Sequence, residues 1–272
     1  MRWARVSFGL GIVIIVGLAF VAAIHSFLGL PSPNEQDLLA ALSPPSSTHL
    51  LGTDDVGRDI LSRSLAGLGL DLQVAVEVTA LSVVIGIAAG SIAGFFGGVV
   101  DIVIMRLADV VIAFPFMILV IAIIAIFGPG LTGIYVGVPA AGWALYARFC
   151  RGEMLSIRER DFVKAAHTLG FRRSRILLRH ALPNVVQPAI VYSTIDVVLN
   201  IVLLASLSYL GLGVQPPAAE LGSMISDGQQ YVLSAWWIVL CPGLVLVVVG
   251  VGFSLVGDGL AARLGQNVSW GK

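Results

Sequence analysis

Asp196 and Asn200 lie four residues apart in an otherwise apolar stretch, so a helix there carries a carboxylate and a carboxamide on one face. Glu77 is the other acid well inside such a stretch. Polar groups in apolar runs are costly unless they meet a partner or line a cavity, so this set points to binding, with the carboxylate placed to receive an amine or a cation. The same face serves equally well for an interhelical hydrogen bond or a contact with another chain. Asp71 and Asp101 fall near the ends of apolar stretches, where solvation is the default, and Arg106 and Asp109, three apart, are expected to pair with each other. Catalysis has no comparable support. The two cysteines, Cys150 and Cys241, and the four histidines, His25, His49, His167 and His180, are scattered without metal-ligand spacing, and no nucleophile sits in pattern with a base and an orienting acid. No catalytic residue and no metal site are expected.

Two further sets are charged and lie between the apolar runs. Nine of the sixteen Arg and Lys residues fall between Arg148 and Arg179, around the string Asp161-Phe-Val-Lys-Ala-Ala-His-Thr-Leu-Gly170. Asp54, Asp55, Gly57, Arg58, Asp59 and Arg63 form a compact acidic and basic group earlier in the chain. Apolar positions at Val56, Ile60, Leu61 and Leu65 give residues 54–64 the spacing of a short interfacial helix, which would frame an outer mouth or simply lie solvated in its loop.

The elements that must carry these groups are membrane helices. The chain is 57% hydrophobic and 12% charged, with a mean hydropathy of +0.96, far from the roughly 25% charged residues of a soluble domain. Apolar runs near the ~20 residues of a membrane crossing occupy 6–28, 72–96, 102–127, 131–147, 185–210 and 236–260, which predicts an all-α polytopic protein with six spans. Six spans put both termini on one side. Arg2, Arg5, Arg106, the nine cations of 148–179, Arg263 and Lys272 make fourteen of the sixteen cations, and the excess of positive charge assigns those segments to the cytoplasm. The first run resembles a cleavable signal peptide in its leading arginines and in Ala22 and Ala23, but it is longer than a typical signal core, and its loss would strand the arginine-rich loop or the tail on the wrong side; a signal anchor fits better.

The predicted organisation is therefore an anchor helix over 1–28, an extracytoplasmic loop over 29–70, a five-helix core over 71–265 with a cytoplasmic loop at 148–184, and a cytoplasmic tail over 266–272. Within the loop, 153–169 reads as one helix ended by Gly170 and 172–182 as a second ended by Pro183. Such a hairpin, with the small residues Ala165 and Ala166 between cations, suits a protein socket; cations that merely set topology and touch lipid headgroups, or a DNA-reading pair of helices, are the weaker alternatives. Gly86, Gly90 and Gly94, spaced by four, read as a helix-packing stripe, while Pro115 and Pro242 are expected to kink or open their helices.

With these residues in view the chain resembles the permeases of bacterial ABC importers. Lys164-Ala165-Ala166, Gly170, His180 and Leu182-Pro183 fall at the positions of the Glu-Ala-Ala, Gly, apolar and Leu-Pro signature of that family. The string from His49 to Arg63, the string Leu207-Ser-Tyr-Leu-Gly-Leu-Gly-Val-Gln-Pro-Pro217, Trp237, Pro242-Gly243 and Gly257-Asp-Gly-Leu260 are similar to the dipeptide, oligopeptide and nickel branch, particularly its second, DppC/OppC-like subunit. The likeness runs from about His49 to Leu260. Lys164, His167, Leu204 and Leu221 stand where that branch usually has Glu, Arg, Glu and Trp.

The resemblance implies the MetI-like fold of type I importers and a bacterial inner-membrane location. It also implies a homologous second permease, two ABC ATPase subunits or one fused ATPase, and an extracytoplasmic binding protein that delivers di- or oligopeptides, or another ligand such as a nickel chelate, glutathione or haem. Asp161, Lys164, Ala165, Ala166, Leu169, Gly170, Leu182 and Pro183 would then form the ATPase-coupling element, and Asp54 to Arg63 the outer gate. ATP and Mg would be held by the partner subunits. A phosphate-binding loop needs Gly-Lys followed by Ser or Thr, and the only lysines here are Lys164, after Val163, and the terminal Lys272. An ion-coupled secondary carrier using Glu77 and Asp196 is the reading from a different class, and it has no use for the socket.

Overall fold

The computed structural model describes residues 2–263, and among these all regular structure is helical apart from one isolated bridge between Thr53 and Asp59. The expected tail 266–272, with Lys272, lies outside the described residues. Helix α1 runs Arg2–Ile24, α2 Ile60–Phe96, α3 Gly98–Ala113, α4 Phe116–Phe127 and α5 Leu131–Arg158. Short α6, Asp161–Thr168, leads to α7, Arg173–Ile176, which continues through a π-helical turn, Leu177–Ala181, into α8, Leu182–Tyr209. Then come α9, Leu221–Gly228, and α10, Trp237–Arg263.

The expected interfacial helix over 54–64 does not exist as a separate element. Asp59 accepts the Ser62 N–H at 2.8 Å and so caps α2, which starts at Ile60 and extends 37 residues, about 55 Å at 1.5 Å per residue. Its last turn ends at Gly97, whose φ of +66° no side-chain-bearing residue adopts without strain. The expected single span over 102–127 is broken: α3 and α4 meet at 93°. Pro115 drives Phe114 out of the helical region, to φ −87° and ψ 140°, and α4 restarts behind the proline.

Four helical segments are long and apolar enough to cross a membrane, namely Val6–Ile24, Ile60–Phe96, Arg173–Tyr209 and Trp237–Ala262, and the bent pair α3 and α4 makes a fifth. The difference from the expected six is α5, which is 28 residues long but less apolar. It has no need of an oily surface, because it is the central helix, packed against α2, α3, α4 and α8. Along α2, Gly86, Gly90 and Gly94 meet α5 so closely that an added β-carbon would stand 2.2 Å from Tyr146 Cβ, 2.2 Å from Ala147 O and 2.9 Å from Arg151 O respectively. The stripe is a packing device, as its spacing predicts. On the opposite flank α1 lies along α10, with Gly11 against the backbone of Gly252 and Val256. Large apolar side chains of α1, α3 and α10, among them Val13, Val103 and Val247, are left exposed on the outside of the bundle.

Proline has a different consequence in each setting. Pro139, Pro188 and Pro242 sit inside continuous helices, so Pro242 does not break α10. Pro183 does not end the second arm of the hairpin either: the π turn just before it relaxes the hydrogen-bond ladder, Asn184 Nδ2 donates to His180 O at 2.7 Å, and the helix carries on into α8.

Candidate functional site

At one end of the bundle the arginine-rich loop folds into a compact corner. Helix α5 ends at Arg158, so the expected helix 153–169 is split, and α6 begins after an extended Arg160. Beyond α6 the chain turns through Gly170, at φ +77°, with the Gly170 N–H donating to His167 O at 3.0 Å and the Phe171 N–H to Ala166 O at 3.2 Å. Val163 and Ala166 point inward and pack with Phe95, Met154, Ile157, Ile176 and Ala181. Ala166 therefore holds α6 to the bundle and is not presented outward as expected. The outward stripe is Phe162, Ala165 and Leu169, with Leu169 73% exposed. Asp161 and Pro183 are exposed as well, Leu182 is half-buried, and Lys164 pairs with Glu159 at 3.5 Å. His167 stacks on Phe95, and Arg175 lies over the Phe171 ring at 4.8 Å.

Midway along the bundle Tyr146 Oη donates to Asp196 Oδ2 at 2.9 Å, and Asn200 Nδ2 donates to Thr79 Oγ1 at 2.8 Å and to Asp196 Oδ2 at 3.4 Å. Asp196 and Asn200 do share a face, and the two readings of that face coincide: the residues bridge α8 to α5 and α2, and they also line a cavity of ≈ 380 Å³ with Tyr146, Tyr192, Ser82 and Phe116. Tyr192 meets Tyr146 edge-on at 5.2 Å between centroids and stacks on Phe149. The wall is thus mainly aromatic and aliphatic, with one carboxylate and one carboxamide. Glu77 is not part of this site. It is exposed on another face of α2, where Tyr135 and Gln73 donate to it. Arg106 and Asp109 are not paired with each other: Asp109 takes Arg148 at 2.6 Å, and Asp101 holds Arg151 through two hydrogen bonds of 2.5 and 2.6 Å, so these acids tie α3 to α5.

At the far end the group from Asp54 to Arg63 is a knot. Asp54 Oδ1 accepts the N–H groups of Val56 and Arg58, Oδ2 accepts Arg58 Nε at 2.6 Å, and Arg63 Nε stands 3.7 Å away. Buried Arg63 reaches back to donate to Pro33 O at 2.9 Å. His49 Nδ1 lies 3.0 Å from Asp59, and Trp237 Nε1 donates to Thr53 O. Gly57, at φ +79°, presses on the Asp37 backbone. Asp55 and Asp227 complete the rim of this cluster. Burial pushes the Asp227 carboxyl above the ordinary range, against the pull of Arg58.

Sequence reasoning missed one arrangement here altogether. Asp71, expected to be solvated, is buried, and its Oδ2 accepts the Leu221 N–H at 3.2 Å. Next to it buried Glu220 caps α9 through the N–H groups of Gly222 and Ser223, at 2.8 and 2.6 Å. Glu220 three residues before Ser223 is a legible cap signal, but nothing local pairs it with Asp71. The tyrosines of the central cavity likewise follow no sequence pattern.

Comparison with known proteins settles the family. A model of the binding-protein-dependent transport system inner membrane component matches residues 86–270. The chain belongs to that family of membrane permeases. The permease is 38% identical over 254 residues to a dipeptide transport system permease protein, DppC, of Alkalihalophilus pseudofirmus, a match covering 93% of this chain and 84% of the relative. It is 37% identical to the probable D,D-dipeptide permease protein DdpC of Escherichia coli, covering 91% and 83%, and 37% identical to the oligopeptide permease protein OppC of Bacillus subtilis, covering 93% and 83%. Among solved structures it shares its fold with the MetNI methionine ABC transporter, with a TM-score of 0.59 at 19% identity over 75% of this chain and 96% of that one, and with an amino acid ABC transporter at a TM-score of 0.55 and 17% identity, covering 75% and 94%. The permease is a multi-pass inner-membrane transport component and not an enzyme.

Proposed function

We propose that this permease imports di- or oligopeptides handed over by an extracytoplasmic binding protein, working as a heterodimer with a homologous permease and powered by two ABC ATPase subunits that hold the ATP and Mg. Both termini and the corner formed by α6 face the cytoplasm in this reading, and the knot around Asp54 faces outward. The observation that carries it is the outward stripe of Phe162, Ala165 and Leu169 on a short helix whose other face, Val163 and Ala166, is locked into the bundle. An element so anchored moves with α5 and α8, so a push on the stripe reaches the helices that line the central cavity. The cavity, with Asp196 set among aromatic side chains, is the proposed passage, and Asp196 meets the peptide ammonium.

Two measurements test this. A tagged chain purified from its native membrane in mild detergent should bring a second permease and ABC ATPases, identified by mass spectrometry; a chain that arrives alone and moves solute in liposomes without ATP would make it a secondary carrier. In the reconstituted complex Asp196→Asn, which keeps the hydrogen bonds but removes the charge, should lower uptake of a free-amine peptide about tenfold or more while leaving an N-acetylated analogue unaffected, since a charge-assisted hydrogen bond in a partly buried site is worth ~1.5–3 kcal/mol. Equal losses for both peptides would remove Asp196 from ligand contact.

A further inference from the structure

The buried pair Asp71 and Glu220 has no role in the passage or in the coupling corner. Asp71 is 2% exposed and Glu220 0% exposed. They sit where α9 docks on α2: Gly67, one turn before Asp71, lies so close that a β-carbon would stand 3.2 Å from Glu220 Cα and 3.3 Å from the Leu221 nitrogen. The two carboxyls are unequally served. Both Glu220 oxygens accept backbone N–H groups, whereas Asp71 uses only Oδ2, and its Oδ1 is buried without a hydrogen-bond partner. The Ser208 hydroxyl, a donor, also lies beside Glu220 and serves that carboxyl, which leaves Asp71 Oδ1 as the unserved carboxyl oxygen of the pair. Two buried carboxyls side by side, one of them with an oxygen that no donor reaches, are one proton short.

We infer that Asp71 and Glu220 form a proton-binding site, one proton shared between them, that latches α9 to α2 at the outer end of the bundle. The proton supplies the donor that Asp71 Oδ1 lacks and removes one of two like charges held in apolar surroundings. Among the described residues no cation does that work. Arg63, two turns outward on α2, is committed to Asp54 and to Pro33 O, with Asp55, Arg58 and Asp227 around it. His25, in the turn just after α1, contacts Ala22 O, Tyr209 of α8 accepts from Gln229, Glu77 further along α2 is held by Tyr135 and Gln73, and the stretch of α10 facing this end carries no charged side chain. Burial pushes the Glu220 carboxyl above the ordinary carboxylate range, against the pull of the Gly222 and Ser223 amides.

The sign follows. The docked state holds a proton that the undocked, hydrated carboxylates release, so docking is complete in acid and weakens as pH rises through the titration of the pair. Release of one proton makes the opening equilibrium grow about tenfold per pH unit.

The test is hydrogen exchange of the 219–228 segment in the intact membrane complex, corrected for intrinsic exchange, from about pH 5 to about pH 9. The wild type should lose protection with that one-proton slope, and Asp71→Asn, which keeps an acceptor for the Leu221 N–H, should abolish the slope, separating the pair from Asp227 in the same segment. A flat wild-type profile, or a slope retained in Asp71→Asn, overturns the assignment. Protection restored at high pH by sodium but not by choline would also overturn it, making the site a metal-cation site. Should Asp71→Asn fail to assemble, infrared difference spectra of the wild-type complex decide: a neutral carboxylic acid C=O band that bleaches on raising pH and is missing in Glu220→Gln supports the shared proton, and its absence from the wild type refutes it. The inference concerns the docking of α9 and does not depend on which solute crosses.

Discussion

Gly90→Leu will prevent the permease from accumulating as a folded, extractable protein. A β-carbon at Gly90 would stand 2.2 Å from Ala147 O and 2.9 Å from Ala147 Cα, so the obstacle is backbone and not a movable side-chain tip. The helices must separate along the whole contact, and Gly86 and Gly94, on either side, lose their close approach at the same time. Overpacking in a core ordinarily costs ~1–3 kcal/mol and more where backbone must shift, against a total stability of about 5–15 kcal/mol. Because α5 also carries Tyr146 and leads into the coupling corner, no part of the bundle is insulated from the change. Size-exclusion profiles of a fluorescent fusion read the effect directly: the wild type should give one symmetric peak and Gly90→Leu aggregate or none, with Gly90→Ala intermediate. Gly17→Leu on α1, where nothing lies within 4 Å of the added carbon, is the matched control and should elute as the wild type. A symmetric peak for Gly90→Leu would mean that α2 and α5 do not pack through this stripe.

Gly170→Pro will leave the protein inserted and abundant but will disconnect ATP hydrolysis from transport. Gly170 holds φ at +77° and donates its N–H to His167 O. Proline fixes φ near −65°, has no N–H, and disfavours the helical conformation of the preceding residue, here Leu169. The turn must be rebuilt, and the stripe of Phe162, Ala165 and Leu169 loses its orientation. No membrane-spanning segment is touched. In proteoliposomes containing the whole complex, peptide uptake should fall at least about tenfold while the ATPase subunits still hydrolyse ATP without stimulation by the loaded binding protein. Gly170→Ala, which must only bear a strained left-handed conformation costing roughly 1 kcal/mol, should keep most of the uptake. Normal stimulated uptake by Gly170→Pro would show that α6 is not the coupling element.

The residues differ in how far their roles can be read locally. Gly86, Gly90 and Gly94 announce a packing face because spacing by four on a helix requires no knowledge of the partner, and Gly170 announces a helix end because its conformation is almost private to glycine. Proline is the opposite case. Pro115 breaks its helix by 93°, yet Pro139, Pro188 and Pro242 are absorbed and Pro183 is accommodated by a π turn; whether the freed carbonyls find other partners depends on what surrounds them, which a single strand of sequence does not contain. The run 54–64 has helical spacing but folds as a knot, since Asp54 and Asp59 use their carboxylates on nearby N–H groups and start α2 only at Ile60. Ala165 and Ala166 are indistinguishable as letters, and only the packing of α6 turns one outward and the other into the core.

By itself the sequence determined that this is an all-helical, multi-pass permease with a cationic corner between its helices, because apolar length, charge placement and signature strings are properties of consecutive residues. Tertiary structure alone decided where Asp196 finds Tyr146, that Glu77 stands apart from them, and that Asp71 meets the Glu220 cap, with Asp71 and the Leu221 N–H it holds 150 positions apart. Those pairings depend on which helix faces cross, and crossing is set by close packing of whole surfaces, which no local pattern encodes.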